Sequence, residues 1–134
     1  MNSAGARIAR RAADDGRDRT GREVVVAGSM GPTGELFAPM GALDYDDAYA
    51  AFTAQATALA EGGVDMLWVE TMSSLEEVKA AIDAAAATGL PVAACMTFDT
   101  VAKTMMGVSP AEFAIQSAGF GAGFVGANLS LIHI

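Results

Sequence analysis

The sequence predicts an α/β fold built on parallel strands. Three observations lead to that class. Short apolar runs centred near residues 26, 68, 94 and 125 have the length and composition of buried strands. Between them, apolar residues recur every three or four positions, the period of an amphipathic helix. The runs also finish in polar side chains: Ser29, then Glu70 with Thr71, then Thr97 with Asp99, and finally Asn128. Strands alternating with helices imply parallel pairing through right-handed crossovers. The carboxyl ends of such strands share one rim, where α/β folds hold their ligands.

The elements follow in order. Residues 3–15 are rich in Ala and Arg and predict a helix, with Ala4, Ile8 and Ala12 on one face. Residues 15–21 carry turn residues and predict a polar connector. Val24 to Ala27 is a β-branched run and predicts the first strand, stopping at the loop Gly28-Ser29-Met30-Gly31-Pro32-Thr33-Gly34. Asp44 is a helix cap for the stripe Tyr45, Tyr49, Phe52, Ala56 and Leu59, which Gly62-Gly63 closes. Met66 to Val69 predicts the second strand. Ser73 with Glu76, or Ser74 with Glu77, is a capping box for a helix carrying Val78, Ile82 and Ala85 and stopping at Gly89. Val92 to Met96 predicts the third strand. Ser109-Pro110-Ala111-Glu112 opens a helix that carries Phe113 and Ile115 and fades at Gly119. Phe124 to Asn128 predicts the fourth strand.

Composition narrows the function. The 134 residues suffice for one domain with a core. A net charge of -8, from 8 basic and 16 acidic residues, argues against nucleic-acid binding. Six of the eight basic residues fall within the first 22 positions, interleaved with Asp14, Asp15, Asp18 and Glu23, the pattern of a solvated helix face. No apolar run approaches the ~18 residues of a membrane span, and no secretory leader is visible. The expectation is a cytoplasmic protein with no membrane partner. Cys95 is the single cysteine, so this chain makes no internal disulfide, and its place within a strand reads as a buried structural thiol.

Two motifs fail on context. Residues 121–126 match G-x-G-x-x-G, yet they follow a helix and open a strand, the reverse of a dinucleotide site. Gly28 to Gly34 lacks the Lys-Ser/Thr pair of a phosphate loop. No Ser, His and Asp arrangement is credible, since the only histidine is His133, one residue from the end of the sequence. The strand-end groups remain. Helix capping accounts for some of the duty of Ser29 and Thr97. It accounts poorly for Glu70, because Ser73 or Ser74 already caps the next helix.

The stretch from Ala27 to Glu35, the Gly62-Gly63-Val64-Asp65 strand ending in Glu70-Thr71, the stretch Met96-Thr97-Phe98-Asp99 with Met106-Gly107, and Val125-Gly126-Ala127-Asn128 together resemble the homocysteine S-methyltransferase family. Glu35 to Pro39 and Thr104 to Gly107 are most similar to its bacterial betaine–homocysteine methyltransferase-like branch. The resemblance implies a (β/α)8 barrel, of which this chain holds about four βα units, roughly half of a fold that needs about 250 residues. It implies homocysteine and a small methyl donor, betaine or similar, as partners. It also implies a zinc ion held by three cysteines that activates the homocysteine thiol for methyl transfer to give methionine. Glu70 then corresponds to the group expected to bind the homocysteine amino group. Thr71, Ser29 and Gly31 shape the same pocket, with Thr97, Asp99 and Asn128 in the next rim motifs.

The zinc ligands are the departure. The family's first zinc cysteine follows the Asn of its Gly-x-Asn motif, where this chain has Leu129. No catalytic or metal-binding residue is therefore assigned, and the chain is expected to be inactive alone. Residues 1–128 are expected to form the partial homocysteine-binding barrel. Residues 129–134 read as a tail outside the family pattern, an artefact of truncation. Open barrel edges are expected to favour self-association. Two alternatives stand beside this reading: another barrel lyase using Glu70 and Asp99 as metal or proton-transfer carboxylates, and a non-catalytic α/β interaction module.

Overall fold

The structure, a computed structural model, describes residues 1–99 and 101–129. Thr100 and the tail residues 130–134 lie outside that description. The element order is α1 (Asn2–Thr20), β1 (Ala27–Met30), α2 (Tyr45–Glu61), β2 (Met66–Met72), α3 (Leu75–Ala86), β3 (Val92–Met96), α4 (Pro110–Phe120) and β4 (Phe124–Ala127). The four strands form one sheet in the order β1-β2-β3-β4, and every neighbouring pair is parallel. This is the architecture of a partial (β/α)8 barrel.

The helices cover one face of the sheet. From the strands, Met30, Leu67, Val69, Met72, Ala94 and Met96 are buried against Phe52, Ala56, Val78, Ala81, Ile82 and Phe113 of the helix layer. Residues paired across strands share a face, so Ser29, Trp68 and Ala93 point the other way, as do Cys95, Phe124 and Gly126. That second face has no helix layer. Trp68 is 37% and Phe124 63% exposed on it, as befits the inner wall of a barrel seen over part of its circumference.

Caps form as their residue types require. Asp44 accepts from the Asp47 amide, Ser74 from that of Glu77, and Ser109 from that of Glu112. Of the two candidate caps at α3, Ser74 and not Ser73 is therefore the one used. Between α2 and α3, Tyr45 donates to Asp83, and the Lys79 ammonium reaches the same carboxylate at 2.5 Å while lying 5.0 Å from the Tyr45 ring centre. Gly121 closes α4 immediately before β4, so the glycine-rich run 121–126 is a helix stop and a strand, not a phosphate loop.

Three sequence expectations need correction. Residues 15–20 continue α1, because the turn-forming residues there are exposed and helix-compatible, and the stop comes at left-handed Gly21, φ 70°. The buried face of α1 is Ala6 and Ala13, while Ile8 is 60% exposed. The first strand is Ala27–Met30 rather than Val24–Ala27. Val24 and Val25 are exposed, whereas Gly28, read as loop, lies where an added Cβ would meet Leu67 at 3.1 Å and Leu59 at 3.2 Å. What sets the start of β1 is Asp65. Its carboxylate accepts the Val26 amide at 2.7 Å and the Arg10 guanidinium at 2.8 Å, pinning strand entry and α1 together. The Val26 N–H foremost, with Arg10, holds that carboxyl below its ordinary range.

Candidate functional site

The site forms where β2 breaks its ladder. Val69 pairs with Ala94 and Met72 with Met96, so β2 spends three steps where β3 spends two. The extra residue is a β-bulge, a device that re-aims side chains at sheet rims. Thr71 takes the strain at φ 66°, a left-handed backbone that costs a residue with a Cβ about 1 kcal/mol. Met72 returns to the core, fully buried. Glu70 and Thr71 are left at the carboxyl end of the sheet, half-buried.

Hydrogen bonds then join all four strand ends. Ser29 at the end of β1 donates to one Glu70 oxygen at 2.5 Å. Asn128, just after β4, donates to the other at 3.4 Å. The same Asn128 amide donates to the Thr71 hydroxyl at 2.7 Å and accepts the Thr71 backbone N–H at 3.1 Å. The Thr97 hydroxyl, after β3, donates to the Asn128 carbonyl at 3.1 Å. Two backbone bonds, Thr97 N to Met72 O at 3.0 Å and Asn128 N to Met96 O at 3.2 Å, fix the spacing of these ends. Ser29, Glu70, Thr71, Thr97 and Asn128 are thus one network.

Two expected site residues stay outside it. Gly31 follows β1 and has no heavy atom within 4 Å of where a Cβ would lie. The Asp99 carboxylate accepts the Val101 amide at 2.9 Å and shapes its own turn. It nevertheless lines a cleft of about 380 Å³ with Thr71, Thr97 and the loop Pro32–Leu36. Glu77 also lines this cleft, and its sequence reading as a cap residue missed that. Gln55 was missed too: its side-chain amide donates to the Ser29 carbonyl at 3.4 Å. Neither contact has a sequence signal, because each spans more than twenty positions with no periodicity to mark it.

Thr71 yields a testable consequence. Thr71→Ala and Thr71→Gly both lose the hydroxyl that Asn128 donates to, but only glycine relieves the left-handed backbone. Thr71→Gly should therefore be more stable than Thr71→Ala by about 1 kcal/mol in urea melts. Equal stabilities would show that the bulge stores no strain.

Zinc does not fit the described residues. Cys95 is 6% exposed, and burial, followed by the Glu70 charge, pushes its thiol above the ordinary value. A cysteine binds zinc as its thiolate. Among the described residues no group of three or more His, Cys, Asp or Glu side chains could hold a metal. The residue after Asn128 is the exposed Leu129, which carries no donor. No helix among the described residues is long and apolar enough to cross a membrane.

Methionine synthase of Mycobacterium tuberculosis is 33% identical over 113 residues, 80% of this chain and 9% of that protein. The apo crystal structure of the homocysteine methyltransferase MmuM from Escherichia coli superposes with a TM-score of 0.81 at 21% identity, over 95% of this chain and 48% of that one. The carboxyl transferase domain of Rhizobium etli pyruvate carboxylase superposes with a TM-score of 0.58 at 14% identity, over 90% of this chain and 18% of that one. These two likenesses are of fold. The chain spans about half the length of MmuM and less than a tenth of the methionine synthase. A family model described as homocysteine S-methyltransferase matches residues 1–133, and the chain belongs to that family.

Proposed function

We propose that this chain carries the amino-acid-binding part of a homocysteine methyl-transfer site. The observation that carries the reading is the placement of Glu70. Both its oxygens receive neutral donors, Ser29 and Asn128, and among the described residues it makes no ion pair. A carboxylate held in this way at the rim of parallel strands offers its charge to an incoming cation. The α-ammonium of homocysteine supplies that cation. Thr71 and Thr97 present hydroxyls beside it, and the cleft lined by Pro32, Leu36 and Met105 takes the rest of the ligand.

In the reaction, a new S–CH3 bond forms at the homocysteine sulfur as the donor's bond to that methyl breaks. The electron pair leaves with the donor, betaine or a similar small methylated compound, and the thiol proton is lost. The names of the methionine synthase and homocysteine methyltransferase relatives support this over a lyase using Glu70 and Asp99. The family relies on zinc-bound thiolate, and these residues do not provide the ligands. The chain is therefore expected to bind homocysteine without turning it over. Residues 1–128 are proposed as the barrel part; residues 130–134 lie outside the described residues. The open edges of β1 and β4 and the exposed Trp68 and Phe124 support self-association, and the cytoplasm is the proposed setting.

The experiment combines zinc analysis of the purified chain with a methionine assay on homocysteine and betaine. The expected result is neither stoichiometric zinc nor methionine above background. Tightly bound zinc at one per chain together with turnover would contradict the reading.

A further inference from the structure

Glu77 is 4% exposed, and among the described residues it takes part in no ion pair. Burying a carboxylate is costly unless hydrogen bonds satisfy it. In a capping box, the acid three residues after the cap turns back to the cap's own amide. Here it does something else. The Glu77 backbone N–H uses the Ser74 hydroxyl at 3.1 Å, while its side chain reaches across 44 positions to the loop after β1. One oxygen, Oε1, accepts both the Thr33 amide at 2.8 Å and the Thr33 hydroxyl at 2.7 Å. The Thr33 hydroxyl in turn accepts the Glu35 amide at 3.2 Å. Farther along, the loop bonds to itself, Leu43 N to Leu36 O at 3.2 Å and Ala38 N to Leu43 O at 3.1 Å. Thr33 and Glu35 are exposed, so little apolar packing holds this stretch. Yet Pro32, Gly34, Glu35 and Leu36 line the same cleft as Thr71 and Thr97.

We infer that Glu77 is a positioning residue: through its paired hydrogen bonds to Thr33 it holds loop 31–36 on the start of α3, and thereby sets the wall of the cleft that Thr71 and Thr97 line. The inference rests on the reading of that cleft as the homocysteine site. It assigns Glu77 no contact with the ligand, only control of the loop that makes one.

The test uses the full chain and two substitutions at the exposed end of the pair, where folding is least at risk. Thr33→Val removes the hydroxyl and keeps the amide; Thr33→Ser keeps both. Amide hydrogen exchange without ligand reads the loop, and titration calorimetry with L-homocysteine reads the site. Thr33→Val should lower protection at residues 33 and 35 about tenfold, leave the β2 and β3 amides and the melting temperature unchanged, and weaken homocysteine binding about fivefold. Thr33→Ser should restore both readouts. Glu77→Gln, which keeps an acceptor of the same shape but loses charge assistance, should move both in the same direction as Thr33→Val and by less. Unchanged exchange at residues 33 and 35 in Thr33→Val overturns the inference. So does a loosened loop with undiminished affinity, or a serine variant as impaired as the valine one. A wild-type chain that binds no homocysteine overturns the functional reading; the ligand-free exchange rates still decide whether Glu77 holds the loop.

Discussion

Glu70→Gln is expected to weaken homocysteine binding by about 2 kcal/mol, roughly thirtyfold, with the fold intact. The substitution keeps the side chain's length and shape, so Ser29 can still donate to an oxygen there. It removes the negative charge to which the ligand's ammonium would pair. The carboxylate is half-buried rather than sealed, which places the effect below that of a fully desolvated ion pair. Calorimetric titration of wild type and variant, with thermal melts of both, checks it. Equal affinities would mean that Glu70 serves only to organise the strand ends.

A second large effect is expected far from the rim, at Gly62. A Cβ there would lie 2.3 Å from the Ala6 Cβ, 2.9 Å from the Ser3 carbonyl oxygen and 3.1 Å from the Leu59 carbonyl oxygen. The backbone at Gly62, φ -78° and ψ -11°, suits alanine, so the cost is contact and not conformation. Two of the three neighbours belong to α1, which must move off α2 to make room. Gly62→Ala should destabilise the chain by about 3 kcal/mol, lowering the melting temperature by roughly 10 °C for a domain of this size. Adding Ala6→Gly, which removes the nearest atom, should recover part of that loss. If the double variant is no better than the sum of the singles, α1 is not docked through this contact.

The alternation of apolar runs and helical stripes made the parallel α/β class legible, because hydrophobic period is a local property of sequence. The caps at Asp44, Ser74 and Ser109 were legible for the same reason. The start of β1 was not. Val24, Val25 and Val26 have the side chains of a strand, but pairing is decided by Asp65 gripping Val26 and by Leu59 and Leu67 lying over Gly28. Those contacts are tertiary and leave no local mark. Of the rim residues, Ser29, Glu70, Thr71, Thr97 and Asn128 converge because parallel strands bring their carboxyl ends together. Gly31 and Asp99 share the neighbourhood but not the network, since position after a strand does not determine where a loop side chain turns. The bulge at Thr71 had no signal, because a threonine at φ 66° occupies a place where sequence reasoning looks for glycine.

The rim joining β1 to β4 is the proposed binding place for the amino-acid end of homocysteine. Titrating the isotope-labelled chain with L-homocysteine, and following every backbone amide by NMR, tests this most directly. Saturable shifts should cluster at Ser29, Glu70, Thr71, Thr97 and Asn128, with smaller ones along loop 31–36, and should vanish in Glu70→Gln. Saturable shifts centred elsewhere, or no shifts at millimolar ligand in a folded chain, would contradict it.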